Sequence, residues 1–306
     1  VARTEKGGES FYVRDLANAF DSSYSGGTVT LLRDISGGGQ SIINGSFQLN
    51  TDGHTVHFRG DPSLILQNGT FRVNGSISAG GTLFMVRGGS LVLEAGIFTA
   101  TKCAYVDGGK LEIPENASVT LNAYNSPYAS TLIVNSGRAE LRGGSFTAGE
   151  KAIAIGAHSG TVKLSTLLAQ GYCFSHNGEP QDLGERVWFK KDLKVEKCTS
   201  HRANPWTTTE TTHSGTCIYC KTEITEDPHI YSSDQDPICD ICGYERDIGH
   251  QHAWGGWQSD RYGHWRVCTA VDCSLESEHE EHTHRLGIAI CATCGNISFH
   301  NHSWLS

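Results

Sequence analysis

Five short turns recur between residues 41 and 170, and a strand follows each at the same offset. The turns are Asn68-Gly69, Gly88-Gly89, Gly108-Gly109, Ser136-Gly137 and Ser159-Gly160. After them come the pairs Phe71 and Val73, Leu91 and Leu93, Leu111 and Ile113, Ala139 and Leu141, Val162 and Leu164. Between the members of each pair lie Arg72, Val92, Glu112, Glu140 and Lys163. Period-two alternation describes a strand with one buried face, so the pairs point inward. A second strand precedes each turn: Leu64–Leu66, Leu83–Val86, Ala104–Val106, Leu132–Val134 and Ala152–Ile155. Successive turns lie 20, 20, 28 and 23 residues apart. Units of this length predict a parallel β-helix, in which no coil buries its inward face until its neighbours stack on it. The chirality of parallel crossovers predicts a right-handed one over residues 28–170. An antiparallel sandwich is the alternative, but hairpin turns rarely hold one fixed offset from the inward residues. The 28-residue interval holds Asn122–Ser130, read as a loop excursion.

Composition agrees with a mostly β chain. Glycine is 36 of 306 residues, methionine is 1 and charged residues are 19%. The residues in short supply are the better helix formers. Ahead of the repeats, Val13, Leu16, Ala17 and Phe20 follow helical spacing, which predicts a short helix over Val13–Phe20 capping the solenoid within residues 11–27. A strand at Thr28–Leu32 follows. Residues 166–197 carry more charge and a Gly-Glu-Pro turn, and read as a closing coil or small hairpin. The net charge of -9 excludes a nucleic-acid partner, whose phosphates demand a basic stripe. No apolar run reaches 18 residues, so a membrane-spanning helix is not expected. Val1 does not read as a native start, and a fragment of a longer protein is expected.

From Cys198 onward the alternation stops and the chemistry changes. Nine of the 11 cysteines and 11 of the 15 histidines lie between 198 and 302. Four cysteine pairs stand out: Cys217-x2-Cys220, Cys239-x2-Cys242, Cys268-x4-Cys273 and Cys291-x2-Cys294. Thiolates two residues apart hold one tetrahedral ion from a tight knuckle, and imidazoles from flanking segments complete the shell. The expected first site takes Cys217 and Cys220 with Cys198, His201, His213 or His229. The second takes Cys239 and Cys242 with His229, His250 or His252. The third takes Cys268 and Cys273 with His264, His252, His279 or His282. The fourth takes Cys291 and Cys294 with His284, His300 or His302. The expected cofactor is structural zinc, about two to four ions by tetrahedral ligand counting. A disulfide framework is the alternative; an odd cysteine count and interleaved histidines argue against it. Two echoes run through this region. One is His201…Trp206…His213-x3-Cys217-x2-Cys220…His229, the other His252-x-Trp254…His264-x3-Cys268-x4-Cys273…His282. The tryptophans are expected to pack on the knuckles, with sugar stacking as the sharper alternative. Cys103 and Cys173 lie outside this region and receive no role beyond small buried residues.

The expected domains are therefore residues 1–197, a capped and closed β-helix, and residues 198–306, small irregular zinc-stapled modules. On the β-helix face, Glu112 and Glu140 occupy equivalent outward positions, with Arg87, Asp107 and Arg138 nearby. They are the weak catalytic candidates, since polysaccharide-cleaving β-helices place carboxylates on one outer face. Outward charges on a solenoid are mostly solvated, and no catalysis is expected from them. Tyr105, Tyr124 and Tyr128 are the aromatic candidates for exposure.

The opening FYVRDLANAF…GGTVTLLRDI and the closing LLAQGYCFSHNGEP resemble the ends of glycine-rich β-helix regions in large surface proteins of Gram-positive gut and mucosal bacteria. The His/Trp/Cys-x2-Cys segments resemble the cysteine-rich, zinc-ribbon-like repeats that often follow them. The resemblance implies a cell-surface or secreted protein of many domains, of which this chain is a segment. It supplies no catalytic residues. The expected function is a stiff stalk or adhesin-like module that binds a host glycan, mucin or protein, or displays other domains. The alternative from a different class is a polysaccharide lyase or glycoside hydrolase.

Overall fold

The computed structural model describes residues 1–158, 162–234, 236–247, 252–260, 262–269, 276–277, 280–281, 290–291 and 293–295. The described chain divides into two compact units. The first is Val1–Ile230 with Asp240–Tyr244; the second is Tyr231–Cys239 with Glu245–Ser306. Among the described residues no helix is long and apolar enough to cross a membrane.

The first unit contains a β-solenoid of about 6 turns. Its strands pair in parallel with the coils above and below, and three ladders run along it. In one ladder Phe47, Phe71, Leu91, Leu111 and Ala139 stack in register. In the second, Ile77, Phe98, Leu121 and Phe146 stack. In the third, Leu64, Phe84, Ala104, Leu132 and Ile155 stack. All of these side chains are buried in one continuous core. The strands Thr82–Val86 and Ser90–Ala100 each pair in parallel with neighbouring coils, and no pairing joins them to each other as a hairpin. Every inward residue read from the alternation as far as Leu141 is at most 5% exposed. Each large apolar side chain so buried contributes roughly 1.5–3 kcal/mol over its exposed state. Val92 differs from expectation: it alternates outward yet is 3% exposed.

The repeated glycine turns have a steric cause. At Gly89 φ is +67°, and an added Cβ would lie 2.3 Å from the carbonyl oxygen of Gly69 in the coil below. Gly69 stands in the same relation to Gly45, with φ +76° and 2.3 Å to its backbone. The corner thus needs both a left-handed backbone and no side chain, and only glycine meets both conditions. The 28-residue interval comes from residues 124–129, which leave the coil between the strands Ser118–Ala123 and Ser130–Leu141.

Both ends of the solenoid are closed. The expected helix over Val13–Phe20 is a single turn, Leu16–Ala19, whose N-cap Asp15 accepts from the Ala17 N–H. Val13 belongs instead to the strand Glu9–Val13, which pairs antiparallel with Ala2–Lys6. The capping role stands, because Leu16, Ala19 and Phe20 are all buried. The Phe20 ring meets Phe47 and Phe71 edge-on at 5.6 and 5.4 Å. At the far end Leu164 is buried, but in a 3₁₀ turn, Leu164–Leu167, rather than the expected strand. The turn Ser159-Gly160 lies outside the described residues. The closure is antiparallel: Leu193–Lys197 pairs with Ser145–Ala148 and with Tyr172–His176. Trp188–Phe189 pairs with Ile153–Ala157.

Candidate metal centres

The cysteine- and histidine-rich segments fold into two three-stranded antiparallel sheets. The first is Thr207–Thr208, Thr212–Thr216 and Glu223–Pro228. The second is Gln258–Ser259, Gly263–Trp265 and Glu280–Glu281. They correspond strand for strand. Thr208 pairs with His213 in one, and Ser259 with His264 in the other. An isolated bridge joins Ala203 to Cys217 and another joins Trp254 to Cys268. The Ile218 N–H donates to Arg202 O at 2.8 Å, and the Thr269 N–H to Ala253 O at 2.8 Å. Trp206 meets His213 edge-on at 4.6 Å and 82°, and Trp257 meets His264 at 4.6 Å and 79°. Over the described residues the two segments are thus a structural repeat, with Trp257 rather than Trp254 in the place of Trp206.

Among the described residues, three groups of ligand atoms could hold a metal ion, the donors of each within 4.8 Å of one another. Around one tetrahedral zinc-sized ion, sulfur–sulfur distances are about 3.8 Å and sulfur–nitrogen distances about 3.6 Å, from bond lengths near 2.3 and 2.0 Å. The observed distances fall near these values.

The first group is Cys198, His201, Cys217 and Cys220, the three-cysteine, one-histidine set among the sequence expectations. Cys198 Sγ is 4.0 Å from Cys217 Sγ, and Cys220 Sγ is 3.4 Å from His201 Nδ1. Cys198 follows directly on the closing strand Leu193–Lys197, and its N–H donates to Gly171 O. The site is therefore fixed to the solenoid's end. Burial pushes the Cys217 thiol up, but the Cys220 backbone, His201 and the Arg202 and Tyr219 backbones outweigh it and bring it down to about 6. A thiol so held is ready to ligate as thiolate. Burial, with the neighbouring Cys220, drives the Cys198 thiol upward. Sequence reasoning passed over Cys173, which packs in one buried cluster with Cys198, Cys217 and Cys220. Its place opposite Glu196 on the closing strand is long-range and has no local sequence signal. Cys103 lies inside the solenoid and donates to Phe98 O at 3.1 Å, with burial pushing it up to about 12.

The second group brings together His213, His229 and Cys242. The fourth candidate is Cys239, the other thiol of the Cys239-x2-Cys242 knuckle, itself 2% exposed. His213 belongs here and not with the first site, where the sequence allowed it. His229 Nδ1 lies 3.3 Å from Cys242 Sγ while its Nε2 donates to Thr209 O at 3.1 Å, which fixes the tautomer. Both ring nitrogens of His213 are buried without a hydrogen-bond partner, a costly state that a metal ion would relieve at one of them. Burial also lowers the His213 pKa, favouring the neutral imidazole that ligates.

The third group is His264, Cys291 and Cys294. His264 Nδ1 is 3.9 Å from Cys291 Sγ. The sequence assigned His264 to Cys268 and Cys273; the structure gives it to the last knuckle, in keeping with His213 and the knuckle that follows it. Cys268 is buried and His252 stacks on Trp254 at 4.9 Å. Cys273, His250, His279, His282, His284, His300 and His302 lie outside the described residues. In the three Cys-x2-Cys knuckles the residue after the second cysteine has a positive φ: Lys221 at 59°, Gly243 at 73° and Gly295 at 72°. The glycines after Cys242 and Cys294 were a sequence signal for the knuckle turn.

On the solenoid face Glu112 and Glu140 stack in register, as expected. Lys110 Nζ bridges them at 2.8 and 2.6 Å, and Arg142 contacts both. The Lys110 hydrogen bond holds the Glu140 carboxyl below its ordinary value. Asp107 accepts from Asn135 and Ser136 and is held low by them. Tyr128 is 82% exposed and Tyr124 is 38% exposed, both in the loop excursion, while Tyr105 is half-buried. Compared with protein-family models, with curated proteins and with solved structures, the chain matches none.

Proposed function

We propose that this chain is a non-catalytic module of a bacterial surface or secreted protein: a stiff β-solenoid stalk whose end is stapled by structural zinc. The observation that carries the reading is the first Cys/His group, set on the solenoid's own closing strand, with Cys198 one residue beyond Lys197. Small sheets with few aliphatic residues gain on the order of 10 kcal/mol from each structural zinc, which supplies what burial cannot. Sulfur-rich tetrahedral donor sets favour zinc among the common ions. The resemblance to surface proteins of Gram-positive gut and mucosal bacteria supports a place outside the cell and a host glycan, mucin or protein as partner. Tyr124 and Tyr128 offer rings on which a sugar can stack. A glycan array is the test: binding that falls at least tenfold in Tyr124→Ala/Tyr128→Ala supports recognition through the loop, and binding unchanged by both substitutions removes it.

The second reading is a carbohydrate-active enzyme acting through Glu112 and Glu140. The salt bridges weigh against it, because a general acid needs a raised pKa and Glu140 is held low. Release of reducing or unsaturated ends from mucin, pectin or glycosaminoglycan, abolished by Glu112→Gln or Glu140→Gln, would favour the enzyme.

A further inference from the structure

The two sheets share one more feature, across from their ligand histidines. His213 pairs directly with Asp227 on the neighbouring strand, and His264 pairs directly with Glu280. In each case the carboxylate faces Nε2 of the ring, which in His264 is the nitrogen turned away from Cys291. His264 Nδ1 lies toward Cys291 and its Nε2 is 3.3 Å from Glu280 Oε2. His213 Nε2 is 3.7 Å from Asp227 Oδ2. Both imidazoles are almost wholly buried, with 0% and 1% side-chain exposure, while the carboxylates are 56% and 64% exposed. Neither carboxylate belongs to the converging donor groups. Each histidine is also held edge-on by a tryptophan seven residues earlier. The same arrangement thus occurs twice, in different sequences, with aspartate in one and glutamate in the other.

We propose that Asp227 and Glu280 are positioning residues for metal binding. Glu280 accepts the Nε2 proton of His264, and Asp227 stands where it accepts that of His213 once the site is loaded, so that the metal is taken on Nδ1 in both sheets. The physical reason is a general one: a ligand imidazole has one proton to place. A carboxylate on the far nitrogen fixes it there, orients the ring and makes the near nitrogen a stronger donor. Exposure of the carboxylate keeps its desolvation small, and the tryptophan edge leaves the ring no other orientation. His229 obtains the same result from a backbone carbonyl, Thr209 O. This rests on the metal reading above, and it adds two residues that neither the cysteine spacing nor the histidine count could indicate.

The test uses the full chain loaded with zinc, with affinity read by competition against a chelating dye and the tautomers read by long-range ¹H–¹⁵N correlation. Asp227→Ala should weaken one ion by about 10–100-fold and leave the others unchanged, and Glu280→Ala should do the same for a different ion. Asp227→Glu and Glu280→Asp should recover at least part of the loss. His213 and His264 should carry their protons on Nε2 in the wild-type protein. Alanine variants that bind every ion within about twofold of wild type, or metal found on Nε2, overturn the proposal while leaving the metal reading standing. A wild-type chain that binds no zinc overturns both. The unaffected ions and the solenoid's circular dichroism show that a variant is folded, and a variant that loses all ions together counts against a positioning role.

Discussion

At the scale of single residues, the solenoid is governed by what does not fit. Gly89 and Gly53 both have positive φ, but only Gly89 faces the backbone of a neighbouring coil, while nothing lies within 4 Å of a Cβ built on Gly53. Gly89→Ala should therefore cost about 3 kcal/mol from strain and clash together. Gly53→Ala should cost about 1 kcal/mol from strain alone. Urea denaturation of both variants checks this, and equal costs would mean that the coil spacing is softer than described. The ion cluster on the outer face makes a second residue-scale prediction. The folded pKa of Glu140 lies below its ordinary 4.5, so its contribution is present above that value and is lost as pH falls through the folded one. Lys110 is raised above 10.5 by Glu112 and then Glu140, so its share is lost only as pH rises past the folded value. Glu140→Gln should reduce stability by about 1 kcal/mol at neutral pH and flatten the loss as pH falls below the ordinary glutamate value. A variant with the wild-type acid slope would contradict the role given to Lys110.

At the scale of elements, what the sequence made legible was local and periodic. The inward residues from Phe71 to Leu141 could be read because strand alternation and a fixed turn offset sit within a few residues of each other. The same reliance on local periodicity makes the predicted cap helix too long. Val13, Leu16, Ala17 and Phe20 have helical spacing, but Val13 is taken by a strand pairing with Ala2 that no local window contains. Leu164 kept its burial and lost its strand, because the final coils close with antiparallel strands from farther along the chain. The ligand types of the metal centres were legible from spacing, and the first set of four was among the expected ones. Partner choice was not: His213 lies four residues before Cys217 but on the strand facing His229, so it joins the second group. Distance along the chain was the wrong guide, and strand register was the right one.

At the scale of the whole molecule, apolar burial holds the solenoid, and metal is proposed to hold the segments that follow it. The solenoid buries a continuous apolar column, whereas the described segments after Cys198 gather thiols and imidazoles around three points. The proposed structural metal would complete these segments, and the first of the groups begins where the solenoid's last strand ends. Elemental analysis of the purified chain, combined with a count of its thiols, tests this most directly. The account predicts at least three zinc ions per chain, one for each described group, with the ligand cysteines reduced. Less than about one zinc per chain, with those cysteines paired as disulfides, would contradict it.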